Sequence, residues 1–582
     1  MSAVPSHYQQ AIIDHVVASY QARRRGRAYR NLVVQATAGS GKSSALRMVC
    51  EALAPLGASA DVVSFNSRVA RDASARLPSC ARSITLHAAG KRAWEGLCGR
   101  RFVEATKARE GDGELAKDKT ARIVAKLKTT GAVDRYVPAG QIGKLVSRAK
   151  GCGLVPLVNT RDPETGEVVR GPVRAGIAAP VELVPLAADT DAVWRELIAL
   201  CEISTQAPGP LIAAARAVLA KSVESSQAII DFDDMVYLPA LCPAVSFEVR
   251  DVVMVDEAQD LDSMQRSMVV KMVQSSGLPS IGVCVGDRRQ AIYSWRGADI
   301  DSLDRLKADL DSDELPLHRC YRCPTSHIEL ARAVAPEIEA APGAIEGEVV
   351  EYDQGVLYEV ASGRRVGDED AEGFQGELET RYFPRSRDFL PGDAVICRMN
   401  APLVRLAYAL LRARVPFKML GKDFGRGVVD LVGTTRAQGA ADAIGVLRGR
   451  LDRLEADDRK ARAAGQLDDG PSPATAALRE RVEVLQAVLE TMDCALGEDP
   501  GSDALCRELE SLFSKEEDGV TLATIHVAKG GEWERVWVLD SDLLKVKPGG
   551  NPKRAAELSN LKFVSLTRSR RSMFFISSQN MP

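Results

Sequence analysis

Short apolar runs alternate along the chain with stretches whose apolar positions recur at helical spacing, the pattern of strands joined by helices in a parallel sheet. In the first series the runs are Leu32–Gln35, Asp61–Phe65, Asp251–Val255 and Ile281–Val285, with a helix-compatible stretch, Ser44–Leu53, after the first. A second series starts near Leu317 and includes Asp393–Cys397, Val520–Ile525 and Val536–Leu539. More than two hundred residues separate Lys42 from Asp256, too many for a minimal unit of this kind, so an insertion is placed at 89–230. Helical periodicity within it covers Ala121–Thr129 and Gln141–Lys150. A second insertion at 425–515 has one-sided apolar spacing in Val446–Leu454 and Leu478–Leu489, around a flexible Gly465–Pro473 connection. The expected organisation is one α/β domain from 1–88 and 231–316, and another from 317–424 and 516–582.

Two of the apolar runs end in residues that carry chemistry. Val253-Met254-Val255 leads into Asp256-Glu257-Ala258-Gln259-Asp260, and adjacent carboxylates at a strand end can hold a metal ion and polarise a water beside it. Leu32-Val33-Val34 leads through Ala36-Thr37-Ala38 into Gly39-Ser40-Gly41-Lys42-Ser43 and then a helix, the context a phosphate-binding loop requires. Gly39 and Gly41 let the backbone approach phosphate oxygens, Ser40 lies between them, and the helix N-terminus favours an anion. Lys42 supplies a point charge to the terminal phosphates, Ser43 and Asp256 would hold Mg²⁺, and Glu257 would orient or deprotonate the attacking water. The strict loop pattern asks for glycine where Ala36 stands, so the loop alone leaves a chance Gly/Ser turn as an alternative reading; paired with the strand ending in Asp256-Glu257 it indicates a nucleotide hydrolase.

Composition narrows the partners. The formal net charge is −3, so any polyanion site has to be a local patch. One candidate is 100–150, with 13 Lys and Arg against 6 Asp and Glu; a solvated basic face and a nucleic-acid surface both account for it. The run Asp452–Arg462 reads as an exposed helix face. Twelve cysteines are scattered without paired spacing except Cys320-x-x-Cys323, a poor zinc site with no second pair and no nearby histidine, and such thiols suit a reducing cytoplasm. The start, Met1–Gln10, lacks a leader's apolar core and no run approaches a membrane span, so the expectation is a soluble cytoplasmic protein without a membrane partner.

With these residues in place, the chain resembles the UvrD/Rep-like branch of superfamily 1 DNA helicases, with motifs in the family's order from Gln9 to Arg568. The resemblance implies two RecA-like domains, each interrupted by a mainly helical insertion. Ser6–Gln10 looks like the Q motif, with Gln9, or alternatively Gln10, on the adenine edge. Ser64–Arg68 and Thr85–His87 resemble motifs Ia and Ib, which would touch single-stranded DNA through Phe65 by stacking and through Arg68 and His87 near phosphates; core packing is an equal reading for Phe65. Val285–Ala298 resembles motif III, in which Gln290 would sense the γ-phosphate while Tyr293, Trp295 and Arg296 meet bases, each stack being worth ~1–3 kcal/mol. Leu317–Cys323 resembles motif IV, with Tyr321 stacking on adenine and Arg322 reaching the γ-phosphate; cysteines stand where the family has small polar residues.

Thr524–Trp533 resembles motif V, where Glu532 is the ribose contact and Thr524 and His526 lie near the strand. Gly531 replaces the family's leucine, which is expected to loosen local packing. Asn560–Arg570 resembles motif VI, with Arg568 as arginine finger and Arg570 a weaker candidate or a surface charge. The implied function is an ATP- and Mg²⁺-dependent motor, monomeric in isolation, that moves 3′→5′ on single-stranded DNA and unwinds tailed duplexes, tolerant of sequence and weakened by salt. Two alternatives stay open: a translocase that strips proteins from single strands with little unwinding, and an ATP-gated nucleic-acid-binding regulator. The pathway is undetermined, and the 14 residues after Arg568 are read as too few for a further domain.

Overall fold

The structure is a computed structural model of the chain, described for residues 4–64, 70–71, 74–107, 112–161, 168–176, 181–201, 203, 205, 207–274, 279–292, 301–359, 365–366, 378–463, 470–492, 499–514, 518–546 and 551–581. It is α/β and divides into two compact units, Met1–Ala36 with Gly41–His318, and Thr37–Ser40 with Arg319–Pro582.

In the first unit six parallel strands lie in the order Ser312–Leu317, Asn31–Ala36, Ile281–Gly286, Val252–Val255, Ala60–Ser64, Ala81–Thr85. The central strands are buried on both faces, which is why they read as continuous apolar runs. The two phosphate- and metal-competent segments leave neighbouring regions of this sheet at strand C-terminal ends, where open α/β sheets place ligands. The helix His7–Arg24 packs on one face, opened by a capping box between Ser6 and Gln9.

The insertion holds helices Lys119–Thr129, Ala139–Gly151, Asp191–Leu200 and Pro208–Glu224, together with a small parallel sheet of Phe102–Val103, Gly113–Leu115 and Ile229–Ile230 and a hairpin of Leu157–Arg161 with Val168–Pro172. It has a core of its own around Ile142, Leu145, Trp194, Leu211 and Val218. The helix Leu86–Cys98 runs unbroken through 88/89 and packs in the core beneath the first sheet.

In the second unit six parallel strands lie in the order Glu348–Glu351, Ser569–Ile576, Trp533–Leu539, Ala394–Cys397, Val520–Thr524, Phe417–Met419. Helices Lys422–Gly433, Ala440–Ala463, Pro473–Thr491 and Ser502–Ser514 form the helical segment. It shares one core with its sheet: Val395, Phe417 and Leu522 belong to the same cluster as Leu447, Leu485 and Leu509. No helix among the described residues is long and apolar enough to cross a membrane.

Candidate functional site

The first unit assembles a polar cluster on its strand ends. Gly41 precedes the helix Lys42–Leu53 with φ 78°, a left-handed conformation that glycine adopts without a Cβ penalty. This turn sends Lys42 and Ser43 toward the end of Val252–Val255. There the Ser43 hydroxyl donates to Asp256 Oδ2 at 2.7 Å, and Lys42 Nζ lies 3.2 Å from Glu257 Oε2. Glu257 itself has φ 53°, held by its own N–H donating to Asp256 Oδ1 at 2.9 Å. A non-glycine residue in that region costs on the order of 1–3 kcal/mol, and such strain clusters at working sites.

Behind the carboxylates runs a relay of side chains. Gln259 Nε2 donates to Glu257 Oε2 at 2.7 Å while its Oε1 accepts from the Asp287 N–H at 2.9 Å, and Gln290 Nε2 donates to Asp287 Oδ2 at 2.7 Å. Burial works against the Lys42 ammonium, but Glu257, Asp287 and Asp256 outweigh it and hold its pKa above the usual value. Burial, with Glu257 beside it, raises the Asp256 carboxyl, and burial raises Asp287. Lys42, Ser43, Asp256, Glu257 and Gln290 are thus brought together. Gln259 and Asp287 are supporting residues that sequence reasoning did not single out, although both lie within motifs it quoted.

The Gln9 side chain stands beside the turn, its Nε2 at 3.5 Å from where a Cβ on Gly41 would lie. Its Oε1 accepts from the Ser6 N–H at 2.9 Å, so the capping box occupies an acceptor face that the Q-motif resemblance would give to a base.

The Ser43 hydroxyl and Asp256 carboxylate are hard oxygen donors of the kind Mg²⁺ takes alongside substrate phosphates. Among the described residues no group of three or more His, Cys, Asp and Glu could hold a metal, so an ion here would complete its shell with water and phosphate oxygens.

A second feature of this unit lies at the end of the strand Ala81–Thr85. Thr85 caps the helix Leu86–Cys98, and His87 in its first turn stacks on Phe232 with ring centroids 3.8 Å apart and planes at 18°. Phe232 is 59% exposed. Its neighbours in the chain are pinned: Lys150 Nζ donates to Asp231 Oδ2 at 2.8 Å and forms an ion pair with Asp234 Oδ1 at 2.8 Å, and Lys119 Nζ donates to Asp234 Oδ2 at 2.6 Å, all buried. Burial disfavours the Asp234 carboxylate, yet Lys119 and Lys150 hold its pKa below the usual range. The buried ion cluster therefore presents Phe232 outward. Sequence reasoning missed it; the signal was Asp231-Phe232-Asp233-Asp234 after the apolar pair Ile229-Ile230.

Burial lowers the pKa of His87 to about 4, so at neutral pH the ring offers a face and not a charge. Because the folded value lies below the unfolded one, protonation favours unfolding: the contribution is complete above about pH 6.5 and is lost as the pH falls toward 4. Thermal unfolding of the parent and of His87→Gln between pH 7 and 4.5 should show a shallower acid loss in the variant, by less than about 2 kcal/mol for a partly buried ring. Parallel pH slopes would contradict this.

The second unit builds its own polar cluster. Arg322 Nε donates to Glu532 Oε2 at 2.6 Å and its Nη1 to the Thr567 carbonyl at 3.1 Å, while Arg570 pairs with the other Glu532 oxygen. Burial works against the Glu532 carboxylate, but Arg322 and Arg570 hold its pKa below the ordinary carboxylate value. Arg568 is 1% exposed, with Nε donating to Val564 O at 3.0 Å, Nη1 to Gly531 O at 3.2 Å and Nη2 to Thr567 Oγ1 at 3.2 Å. Tyr321 is half exposed, and its N–H donates to Gly39 O at 2.9 Å within the same unit.

Thr524 is buried and caps Ile525–Ala528, with His526 half-buried on that turn. At Gly531 the expected loosening is not seen: a Cβ there would lie 2.4 Å from the Trp533 ring, so the indole fills the space a side chain would take. Phe65, Arg68, Tyr293, Trp295 and Arg296 lie outside the described residues.

Residues 202–311, which include Phe232, Asp256, Glu257, Asp287 and Gln290, match the UvrD/REP helicase N-terminal domain. The chain is similar to UvrD/Rep helicases. It is 27% identical over 363 residues to the ATP-dependent DNA helicase UvrD2 of Mycobacterium tuberculosis (strain ATCC 25618 / H37Rv), covering 59% of this chain and 50% of that one. With the ATP-dependent DNA helicase Rep of Escherichia coli (strain K12) it shares 29% identity over 202 residues, 33% of this chain and 29% of Rep. A further UvrD/Rep-like match is the ATP-dependent DNA helicase PcrA of Leuconostoc citreum, 27% identical over 201 residues, 33% of this chain and 26% of PcrA. The chain thus spans half or less of the length of these relatives.

Proposed function

We propose that the protein is an ATP-driven DNA helicase or translocase that moves 3′→5′ on single-stranded DNA and opens duplexes. The observation that carries the ATP-driven part is the convergence of Lys42 on Glu257 at 3.2 Å and of Ser43 on Asp256 at 2.7 Å, beside a glycine turn at a helix N-terminus, and the polarity rests on the family resemblance. Lys42 and the backbone of Gly39, Ser40, Gly41 and Ser43 bind the phosphates of ATP, and Gln9 lies beside them. Ser43 and Asp256 would hold Mg²⁺, which when bound neutralises phosphate charge. Glu257, oriented by Gln259, positions a water for attack on the terminal phosphate and takes its proton. Gln290, joined to Glu257 through Asp287 and Gln259, reports the state of that phosphate.

From the resemblance, Tyr321 would meet the adenine, Glu532 the ribose, and Arg322 and Arg568 the developing charge. Phe65, Arg68, His87, Tyr293, Trp295, Arg296, Thr524 and His526 serve the strand. The outward Phe232 ring, stacked on His87, supports stacking on bases, which is sequence-tolerant.

The test is ATP hydrolysis with and without single-stranded oligonucleotide, followed by unwinding of 3′-tailed and 5′-tailed duplexes. Hydrolysis should rise at least ~10-fold with the oligonucleotide, and the 3′-tailed duplex alone should open. Opening of the 5′-tailed duplex alone would overturn the polarity. Stimulated hydrolysis with neither duplex opened would favour the stripping translocase, and ATP binding without stimulated hydrolysis would favour the regulator.

A further inference from the structure

We propose that Cys320 and Cys323 are a peroxide-responsive pair whose reversible disulfide disables the turn carrying Tyr321 and Arg322; the regulatory part rests on the nucleotide role proposed above for those two residues. Cys320 closes the short strand Arg319–Cys320, and Cys323 lies directly before Pro324, the N-cap of the helix Thr325–Arg332. Both thiols are free and buried. The Cys323 N–H donates to Cys320 Sγ at 3.4 Å, and the two thiols are close enough to shift each other's pKa. The sulphurs therefore already face one another across a two-residue turn. The Cys323 thiol, followed by backbone donors and the Arg322 charge, lowers the Cys320 pKa, while the Cys320 thiol raises that of Cys323. One sulphur is thus poised as the nucleophile and the other as the resolving thiol.

The oxidant has to be small to reach buried sulphurs, and hydrogen peroxide meets that requirement. The Cys320 thiolate attacks one peroxide oxygen, the O–O bond breaks, and the departing hydroxide takes a proton to become water, leaving a sulfenic acid. The Cys323 sulphur then attacks Cys320 Sγ; the S–S bond forms, the S–O bond breaks, and the hydroxide leaves with the Cys323 proton as a second water. Two thiols lose two electrons and one peroxide gains them.

A disulfide draws the sulphurs to about 2.05 Å with a fixed dihedral. The tightening falls on Tyr321 and Arg322, the two residues enclosed. Arg322 reaches Glu532 at 2.6 Å and Thr567 O at 3.1 Å from the present turn, and a reshaped turn moves its guanidinium off those partners. Gly39 adds to the constraint: a Cβ on it would lie 2.8 Å from both Cys320 Sγ and Arg322 Cβ, so there is little slack beside the pair.

The test uses the full chain, reduced and then exposed to hydrogen peroxide, with peptide mapping under non-reducing conditions and oligonucleotide-stimulated ATP hydrolysis before and after dithiothreitol. A Cys320–Cys323 linkage is expected together with a ~10-fold or greater fall in rate that dithiothreitol reverses. Cys320→Ser and Cys323→Ser, each compared with its own reduced rate, should be insensitive. A linkage that leaves the rate unchanged, no linkage, or serine variants as peroxide-sensitive as the parent would each overturn the proposal. If the reduced parent shows no stimulated hydrolysis, the proposed function fails, the switch fails with it, and the mapping alone still decides the disulfide.

Discussion

Arg568→Lys should lower oligonucleotide-stimulated kcat by ~10³-fold or more while leaving KM for ATP within a few-fold, because an arginine that stabilises charge only in the transition state is worth ~10³–10⁵ in rate. Lysine keeps the charge but loses the planar fork, so the variant tests the fork's geometry. The obvious competing role is structural. Arg568 is buried and ties the carbonyls of Val564 and Gly531 and the Thr567 hydroxyl together, and losing these bonds would lower the melting temperature of the chain. The two roles separate in the data: a large fall in kcat with KM held is the finger, whereas a lower melting temperature with kcat within ~10-fold of the parent leaves Arg568 as a structural tie.

The central strands of both sheets were legible in the sequence because burial on both faces forces continuous apolar runs: Leu32–Gln35, Ile281–Val285, Asp393–Cys397 and Val520–Ile525 all fall on strands, to within a residue or so. The edge strands were not. Ser312–Leu317 is buried only at its two ends and contains Pro316, and Ala81–Thr85 buries one residue in five, so neither carries an apolar signature. The strand Ser312–Leu317 pairs with Asn31–Ala36 in the first sheet, and the compact units divide after His318.

Local motifs were legible for a different reason. A glycine turn before Lys42-Ser43 and two carboxylates after Val255 together name a chemistry by residue type, and the fold needed only to bring them together. What the sequence withheld depends on long-range packing. The outward set of Phe232 comes from Lys119 and Lys150, over eighty residues away, clamping the aspartates beside it. The neutrality of His87 comes from burial. The tight fit at Gly531 comes from the Trp533 ring, a compensation visible only once both are placed. Gln9 shows one residue carrying two signals, since the Ser6–Gln9 spacing that resembles a base contact is also a helix capping box.

The most direct measurement compares Glu257→Gln with the parent in ATP hydrolysis at saturating single-stranded oligonucleotide. Glutamine keeps the shape of the side chain and can still meet Gln259, but it cannot take a proton from water. The exchange should lower the rate by ~10²–10⁴, the usual worth of a positioned general base, with ATP binding retained. A Glu257→Gln protein that hydrolyses ATP as fast as the parent would contradict the assignment of this strand-end cluster as the engine of the molecule.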